Sequence, residues 1–308
     1  MTPGVNIRGR TVLAVVCLFL AIAGVRFAEP VASAFAAHHV SLRKSRPHRP
    51  VKTARAVPPA DPVPTPVLVE LFTSEGCASC PTADTLLARL QSEQPVPAAD
   101  ILALEEHVDY WDTPGWRDRF ASGQFSVRQS TYGNRLLLHR EYTPQMIVDG
   151  AQEVEGTDVV RAFHLIAQAA STPKLALRLS EIVLDSGRLS GRVSVARPQQ
   201  IERRANLYAA VVESRVSTEV LGGENSGQTL NHVSVVRELR QIGSVRRARV
   251  APLKFSLNVP DDARSKDLRV VVFVQRAGQG AVLGAVSAAP AVDVAPTITT
   301  AMFQISGQ

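Results

Sequence analysis

The sequence predicts two folded parts in series: an α/β domain over residues 67–172 and an all-β antiparallel sandwich over residues 173–303. Three observations carry this. From Val67 to Ala170, short apolar runs alternate with segments of helical period, the pattern of strands packed between helices. After Pro173 the helical period disappears, and strands with alternating side chains follow one another between turn residues, the grammar of a sandwich. Two of the three cysteines, Cys77 and Cys80, stand where the first strand hands over to the first helix.

What precedes Val67 is of another kind. Arg8 and Arg10 followed by the apolar run Thr11–Val25, with small residues in Val31–His38, have the layout of an export signal over residues 1–37. Cleavage after Ala-Ser-Ala or Phe-Ala-Ala would leave the chain periplasmic or secreted. An uncleaved leader would anchor it to the inner membrane through residues 11–25, although that run is shorter than the roughly 20 residues a span needs. Cys17 lies inside the run and reads as one more apolar filler. Residues 38–66 hold seven prolines and no apolar period, an extended tether whose His38, His39 and His48 are solvated. Residues 304–308 are a tail.

Composition limits the function classes. Apolar residues make up 45% and charged residues 20% of the chain, which suits a globular protein and excludes disorder throughout. Of the net charge of +6, residues 1–57 supply nine Lys and Arg against one acid, Glu29, leaving about −2 for residues 58–308. A nucleic-acid-binding body would carry its basic face on the folded part, so nucleic acid is not an expected partner.

The elements follow in order. Val67–Phe72 (VLVELF) reads as a buried strand. Pro81 opens a helix with Leu86, Leu87 and Leu90 on one face, tolerated there because the first turn has unpaired N–H groups anyway. Ile101–Val108 is a second strand, and residues 121–138 hold one or two helices. Asp149-Gly150 is a favoured turn dipeptide between two short strands. Thr157–Ala170 is a helix with Thr157 as cap and Val160, Phe163, Ile166 and Ala167 on its buried face. Beyond Pro173, strands are expected at 175–180, 187–195, 205–214, 255–259 and 268–275.

A Cys-x-x-Cys at a helix start admits three readings. In the redox reading, unpaired N–H groups and the helix dipole lower the pKa of the first thiol below about 8.5. Cys77 then attacks a disulfide and Cys80 resolves the mixed disulfide. Ala78 and Ser79 are small and would leave the sulfur accessible. A zinc clip normally adds a second pair or histidines at fixed spacing, which this stretch lacks. A structural disulfide closing so short a loop would stabilise little.

Context bears on the choice. Thr143-Pro144 precedes the hairpin, the place where thioredoxin-like proteins put a cis-proline opposite the cysteines. Together with VELFTSEGCASCPTAD (69–84), HVDYWDTPGWRDRFAS (107–122), YTPQMIVDG (142–150) and GGENSGQTLNHVSVVREL (222–239), this resembles the secreted bacterial thioredoxin-like proteins catalogued as a domain of unknown function. The resemblance runs from about Val67 to the C-terminus and implies an α/β thioredoxin-like domain followed by an all-β antiparallel sandwich domain. This chain departs from ordinary thioredoxins in having no Trp before Cys77 and no Pro between the cysteines.

The expected function is therefore an exported thiol–disulfide oxidoreductase acting on protein thiols and disulfides through Cys77 and Cys80, without a cofactor. Thr143 and Pro144 would brace the substrate. His107, Asp109 and Trp111, at the end of the second strand, would wall the pocket, His107 or Asp109 tuning the thiolate; the alternative is that the aromatics pack and the carboxylates cap the next helix. The competing functions are a copper carrier using Cys77, Cys80 and His107, and an envelope adaptor with a structural disulfide. Glu75 reads as solvated, His139 and His164 as surface residues, His232 as a loop histidine, and 222–232 as a long hairpin loop.

Overall fold

Two neighbouring strands start the fold. β1 (Thr65–Thr73) pairs parallel with β2 (Ala99–His107), from Thr65 opposite Ala99 to Thr73 opposite His107. On its other side β1 pairs antiparallel with β3 (Gln145–Val148), which continues through Asp149-Gly150 into β4 (Gln152–Glu155). β1 is thus central, with both faces covered, which is why its run is apolar at odd and even positions alike. The computed structural model describes residues 63–112, 115–196, 204–248 and 251–291. The leader, most of the tether with its three histidines, and the tail lie outside the described residues.

Helices cover the two faces. α1 (Cys80–Glu93) and α3 (Val159–Ala170) lay Leu86, Leu87, Leu90, Leu165 and Ile166 against Val67, Val69, Leu71, Ile101 and Ala103. α2 (Gly123–Leu136) sets Phe125 and Tyr132 against Leu68, Phe72, Leu102 and Leu104 on the opposite face. α3 starts one residue later than expected. Asp158, not Thr157, caps it by accepting from Arg161 N at 2.9 Å, and Val160 is 81% exposed while Ala162 and Ala170 turn inward. Among the described residues no helix is long and apolar enough to cross a membrane.

The second half overturns the predicted fold class. Beyond α3 come β5 (Leu177–Asp185), β6 (Arg188–Val195), β7 (Ala205–Glu219), β8 (Thr229–Ser244), a four-residue helix α4 (Val245–Ala248), β9 (Leu253–Asn258), β10 (Leu268–Arg276) and β11 (Val282–Ala288). β7, β8, β10 and β11 do not build a sandwich of their own. They join one eight-stranded mixed sheet in the order β11-β10-β7-β8-β2-β1-β3-β4. Only β5, β6 and β9 form a separate three-stranded sheet, which packs Leu189, Val193 and Leu257 on β7 and β10. The chain is therefore not a thioredoxin-like α/β domain followed by a separate antiparallel sandwich.

The physical reason is β8, a strand that residue patterning did not bring out. It pairs antiparallel with β7 along its length and parallel with β2 at Glu105 opposite Val235. β10 then carries five consecutive fully buried residues, Val270–Val274, each worth about 1.5–3 kcal/mol when taken out of water. The ends of the sheet also meet: Asp149, in the β3–β4 turn, accepts from Leu68 N through its side chain at 3.1 Å and from Val282 N of β11 through its carbonyl at 2.7 Å. Lys174 pairs with the same carboxylate.

Candidate functional site

The Cys-x-x-Cys turn sits at the C-terminal end of β1. Cys77 N donates to Ser74 O and Cys80 N to Cys77 O, both at 3.2 Å, which folds the turn and delivers Cys80 as the first residue of α1, followed by Pro81. The helix therefore begins at the second cysteine. Cys77 and Cys80 form a disulfide with Cα atoms 5.4 Å apart. Both are buried, at 1% and 0% exposure, although Ala78 and Ser79 between them are exposed. Small intervening residues did not leave the sulfur accessible.

The β7–β8 connection, residues 220–228, is bound to the backbone of the cysteine turn. Asn225 is buried and donates to Glu75 O at 2.9 Å and to Cys77 O at 3.0 Å, while Glu224 accepts from Ala78 N at 2.9 Å. Two glycines allow the approach. A Cβ on Gly222 would lie 2.0 Å from Gly115 O, and Gly223 has φ of 72° with Gly76 Cα 4.0 Å from where its Cβ would be. The stretch expected to be only a hairpin loop is a strap bound to the backbone on the N-terminal side of the cysteine turn, at Glu75, Cys77 and Ala78.

The other site residues divide into two groups. Trp111 packs its backbone and Cβ on Gly76, beside Cys77, and its indole donates to Thr143 Oγ1 at 2.7 Å. The Thr143-Pro144 bond is cis, and Pro144 meets Ala83 of α1 and Leu71 of β1 around Gly156. Trp111 thus flanks the cysteine turn directly, Thr143 is tied to it through the indole, and Pro144 lies beside the first turns of α1. Asp109 does not join them: it is exposed, and its carboxylate accepts from Ser126 Oγ of α2 at 2.5 Å. His139 and His164 are exposed.

His107 points into the protein, where sequence reasoning missed most of the chemistry. Its Nδ1 lies 2.7 Å from Asp118 Oδ2 and its Nε2 3.3 Å from Glu105 Oε1. His232, expected in a loop, is a fully buried residue of β8 with Nδ1 2.7 Å from Glu105 Oε1 and Nε2 3.5 Å from Glu75 Oε1. Glu75, expected to be solvated, is fully buried and accepts from Trp116 Nε1 at 3.1 Å. Asp84, one turn after Cys80 on α1, accepts from Thr73 Oγ1 at 2.8 Å and lies 3.9 Å from His232 Nδ1. Phe120 closes the group, its ring 5.3 Å from that of His107 and 6.0 Å from that of His232.

The electrostatics follow from burial and pairing. Burial opposes charge on both histidines, but Asp118 holds His107 well above its ordinary pKa and Glu105 lifts His232 to about 9. Burial likewise works against the charged carboxylates, yet the histidines hold Glu105 and Asp118 down to about 2. Asp84 is pushed up to about 7 by its burial and by the charge of Glu105. One signal in the sequence could have found this group: Glu105 and Glu106 stand inside the otherwise apolar strand Ile101–Val108, where an acid is seldom buried unless partnered.

Comparison with known proteins gives three results. The family described as a protein of unknown function, DUF1223, matches residues 68–275. A crystal structure of a protein from Agrobacterium tumefaciens is similar in fold, with 24% identity and a TM-score of 0.56, covering 73% of this chain and 94% of that one. No curated protein matches the chain.

Proposed function

The chain belongs to the DUF1223 family of unknown function, and for this member we propose thiol–disulfide exchange with protein partners through Cys77 and Cys80. The observation that carries the reading is the disulfide itself, closed across the turn that leads into α1, near Trp111, Thr143 and Pro144. A partner thiolate attacks Cys77 Sγ; the new intermolecular S–S bond forms as the Cys77–Cys80 bond breaks, and Cys80 leaves as a thiolate. A second thiolate of the partner then attacks the partner sulfur of the mixed disulfide and releases Cys77. The partner loses two electrons as two thiols become one disulfide, and the cysteine pair gains them as a dithiol. Run in reverse, the same steps reduce a partner's disulfide.

The strap has a role in this reading. Asn225 on Cys77 O and Glu224 on Ala78 N fix the backbone around Cys77, so the strap holds the cysteine turn in place. Glu224 also occupies an N–H beside Cys77 and brings a negative charge near it, which disfavours a thiolate there. An exported location suits the reading, since the leader in residues 1–37 would carry the pair to an oxidising compartment where a disulfide persists.

A second reading is favoured by a specific observation: exposures of 1% and 0% at the two cysteines fit a structural disulfide. The reduction potential of the pair, measured by equilibration with glutathione, separates the two. A potential of roughly −270 to −120 mV is expected for exchange, and one below about −300 mV would leave the structural reading standing instead.

A further inference from the structure

Behind the cysteine turn, Glu105, His107 and His232 present donor atoms that all lie within 4.8 Å of one another, and all three residues are buried. Around a tetrahedral zinc ion, donors bound at about 2.0–2.1 Å sit roughly 3.4 Å from each other. Glu105 Oε1 and His107 Nε2 are 3.3 Å apart, Glu105 Oε1 and His232 Nδ1 2.7 Å, and His232 Nδ1 and Asp84 Oδ2 3.9 Å. The first matches that edge length and the second is a hydrogen-bond distance an ion would replace, while Asp84, outside the three convergent residues, reaches the group through His232.

Each of the four side chains also has a neighbour for its other polar atom. Asp118 takes His107 Nδ1 at 2.7 Å, and Glu75 Oε1 faces His232 Nε2 at 3.5 Å. Val233 N donates to Glu105 Oε2 at 2.8 Å, and Thr73 Oγ1 donates to Asp84 Oδ1 at 2.8 Å. Outer partners of this sort, above all a carboxylate on the far nitrogen of a histidine, orient metal ligands. His107 Nε2 is fully buried, aimed at Glu105, and has no hydrogen-bond partner of its own; His232 Nε2 and Glu75 Oε1, though close, are likewise buried without one. A buried ring nitrogen left bare in this way calls for a ligand.

We propose that His107 Nε2, His232 Nδ1 and Glu105 Oε1 bind one divalent cation of the zinc class, with Asp84, which lies against His232, moving in as the fourth ligand. Two imidazoles with two carboxylates suit zinc better than magnesium or calcium, which prefer oxygen alone, or copper(I), which prefers sulfur. Two neutral imidazoles and two carboxylates around a divalent ion also sum to zero charge, the arrangement burial favours. Four protein donors and Phe120 packed over both rings leave no open position for water, so the ion is structural. It ties β2, β8 and α1 together where the two halves of the sheet join. Neither cysteine takes part, and the proposal stands independently of disulfide exchange.

The test uses the full chain with its disulfide intact, stripped by a chelator and dialysed against Zn2+ or Co2+. We expect one zinc per chain, a rise in Tm of roughly 5–10 °C at zinc a hundredfold above Kd, and the intense visible absorption of four-coordinate cobalt. His107→Gln and His232→Gln should remove the cobalt bands. Thr73→Val, which touches no ligand atom of the ion but frees Asp84, should weaken binding about tenfold in a folded protein. Replacing His38, His39 and His48 together by alanine should change nothing. Three results would overturn the proposal: zinc below one per chain with no Tm shift, cobalt bands that survive both histidine variants, or zinc that binds only once the disulfide is reduced.

Discussion

Glu105 and Glu106 are consecutive residues of one strand, both fully buried, and they meet opposite fates. Strand alternation sends Glu105 to the face of α1, where two histidines hold its carboxyl down to about 2. Glu106 faces α2, where burial and the nearby charge of Glu70 push it well above the carboxylate range, against the pull of Arg128. On that face Arg128 is committed to Glu70: its Nε donates to Glu70 Oε1 at 2.6 Å, and Tyr132 donates to Glu70 Oε2 at 2.6 Å. Gln275 of β10 completes the network by donating to Tyr132 Oη at 2.7 Å. One face thus carries a permanent cation shared unequally between two carboxylates, close on Glu70 and 3.5 Å from Glu106, whose pKa is pushed up. The other carries titratable histidines and two ring nitrogens without hydrogen-bond partners. The difference teaches that burial raises the pKa of both acids alike, and that the counter-group each face delivers decides whether the rise is overcome.

The largest effect should come from the permanent cation. Arg128→Ala leaves the buried Glu70 carboxylate without its partner and should cost about 3–5 kcal/mol, read as a lower urea midpoint at unchanged m-value. A cost under about 1 kcal/mol would mean that the arginine is not what holds this face together, and the contrast between the faces would shrink.

Next comes the histidine face, which should respond to pH where the arginine face does not. A histidine whose folded pKa is raised contributes stability that is fully present below its unfolded value of about 6.5. For His232 that contribution is lost as pH rises through about 9. Chelator-treated protein should therefore lose on the order of 2–3 kcal/mol between pH 6 and pH 9.5, and His232→Gln should be less stable at pH 6 but lose less over that interval. At the acid end, Glu105 and Asp118 contribute stability present above their ordinary values and lost as pH falls through about 2. A wild-type profile flat from pH 6 to 9.5 would place a neutral His232 beside Glu105.

Glu106→Gln should do least. A neutral carboxylic acid and an amide are nearly the same size, so a change of less than about 1 kcal/mol is expected at neutral pH. A larger loss would show that Glu106 is ionised after all.

The elements from β1 to α3 were legible because each depends on local period and turn residues: apolar runs at Val67–Phe72 and Ile101–Val108, Pro81, Asp149-Gly150. The cysteine turn and its neighbourhood to Thr143-Pro144 and Trp111 were legible too, through motifs. The partners of Glu105 were not. His232 lies 127 positions further along, in a strand whose apolar alternation is broken by Asn231, Arg237 and Glu238, and nothing local marks it as buried. Glu75 next to a glycine looks like a loop residue until Trp116 and Asn225 close over it.

By itself, the sequence determined the order of secondary elements in the first half, the cysteine pair at a strand–helix junction, and the concentration of positive charge ahead of residue 58. Periodicity, turn chemistry and charge act over a few residues and can be read locally. Only the tertiary structure decided that β8 would pair with β2, making one sheet of eight strands from what reads as two domains. It alone brought Asp84, Glu105, His107 and His232 together. Both outcomes rest on pairing between distant segments, and strand pairing is chosen by burial of whole faces, which no short window of sequence contains.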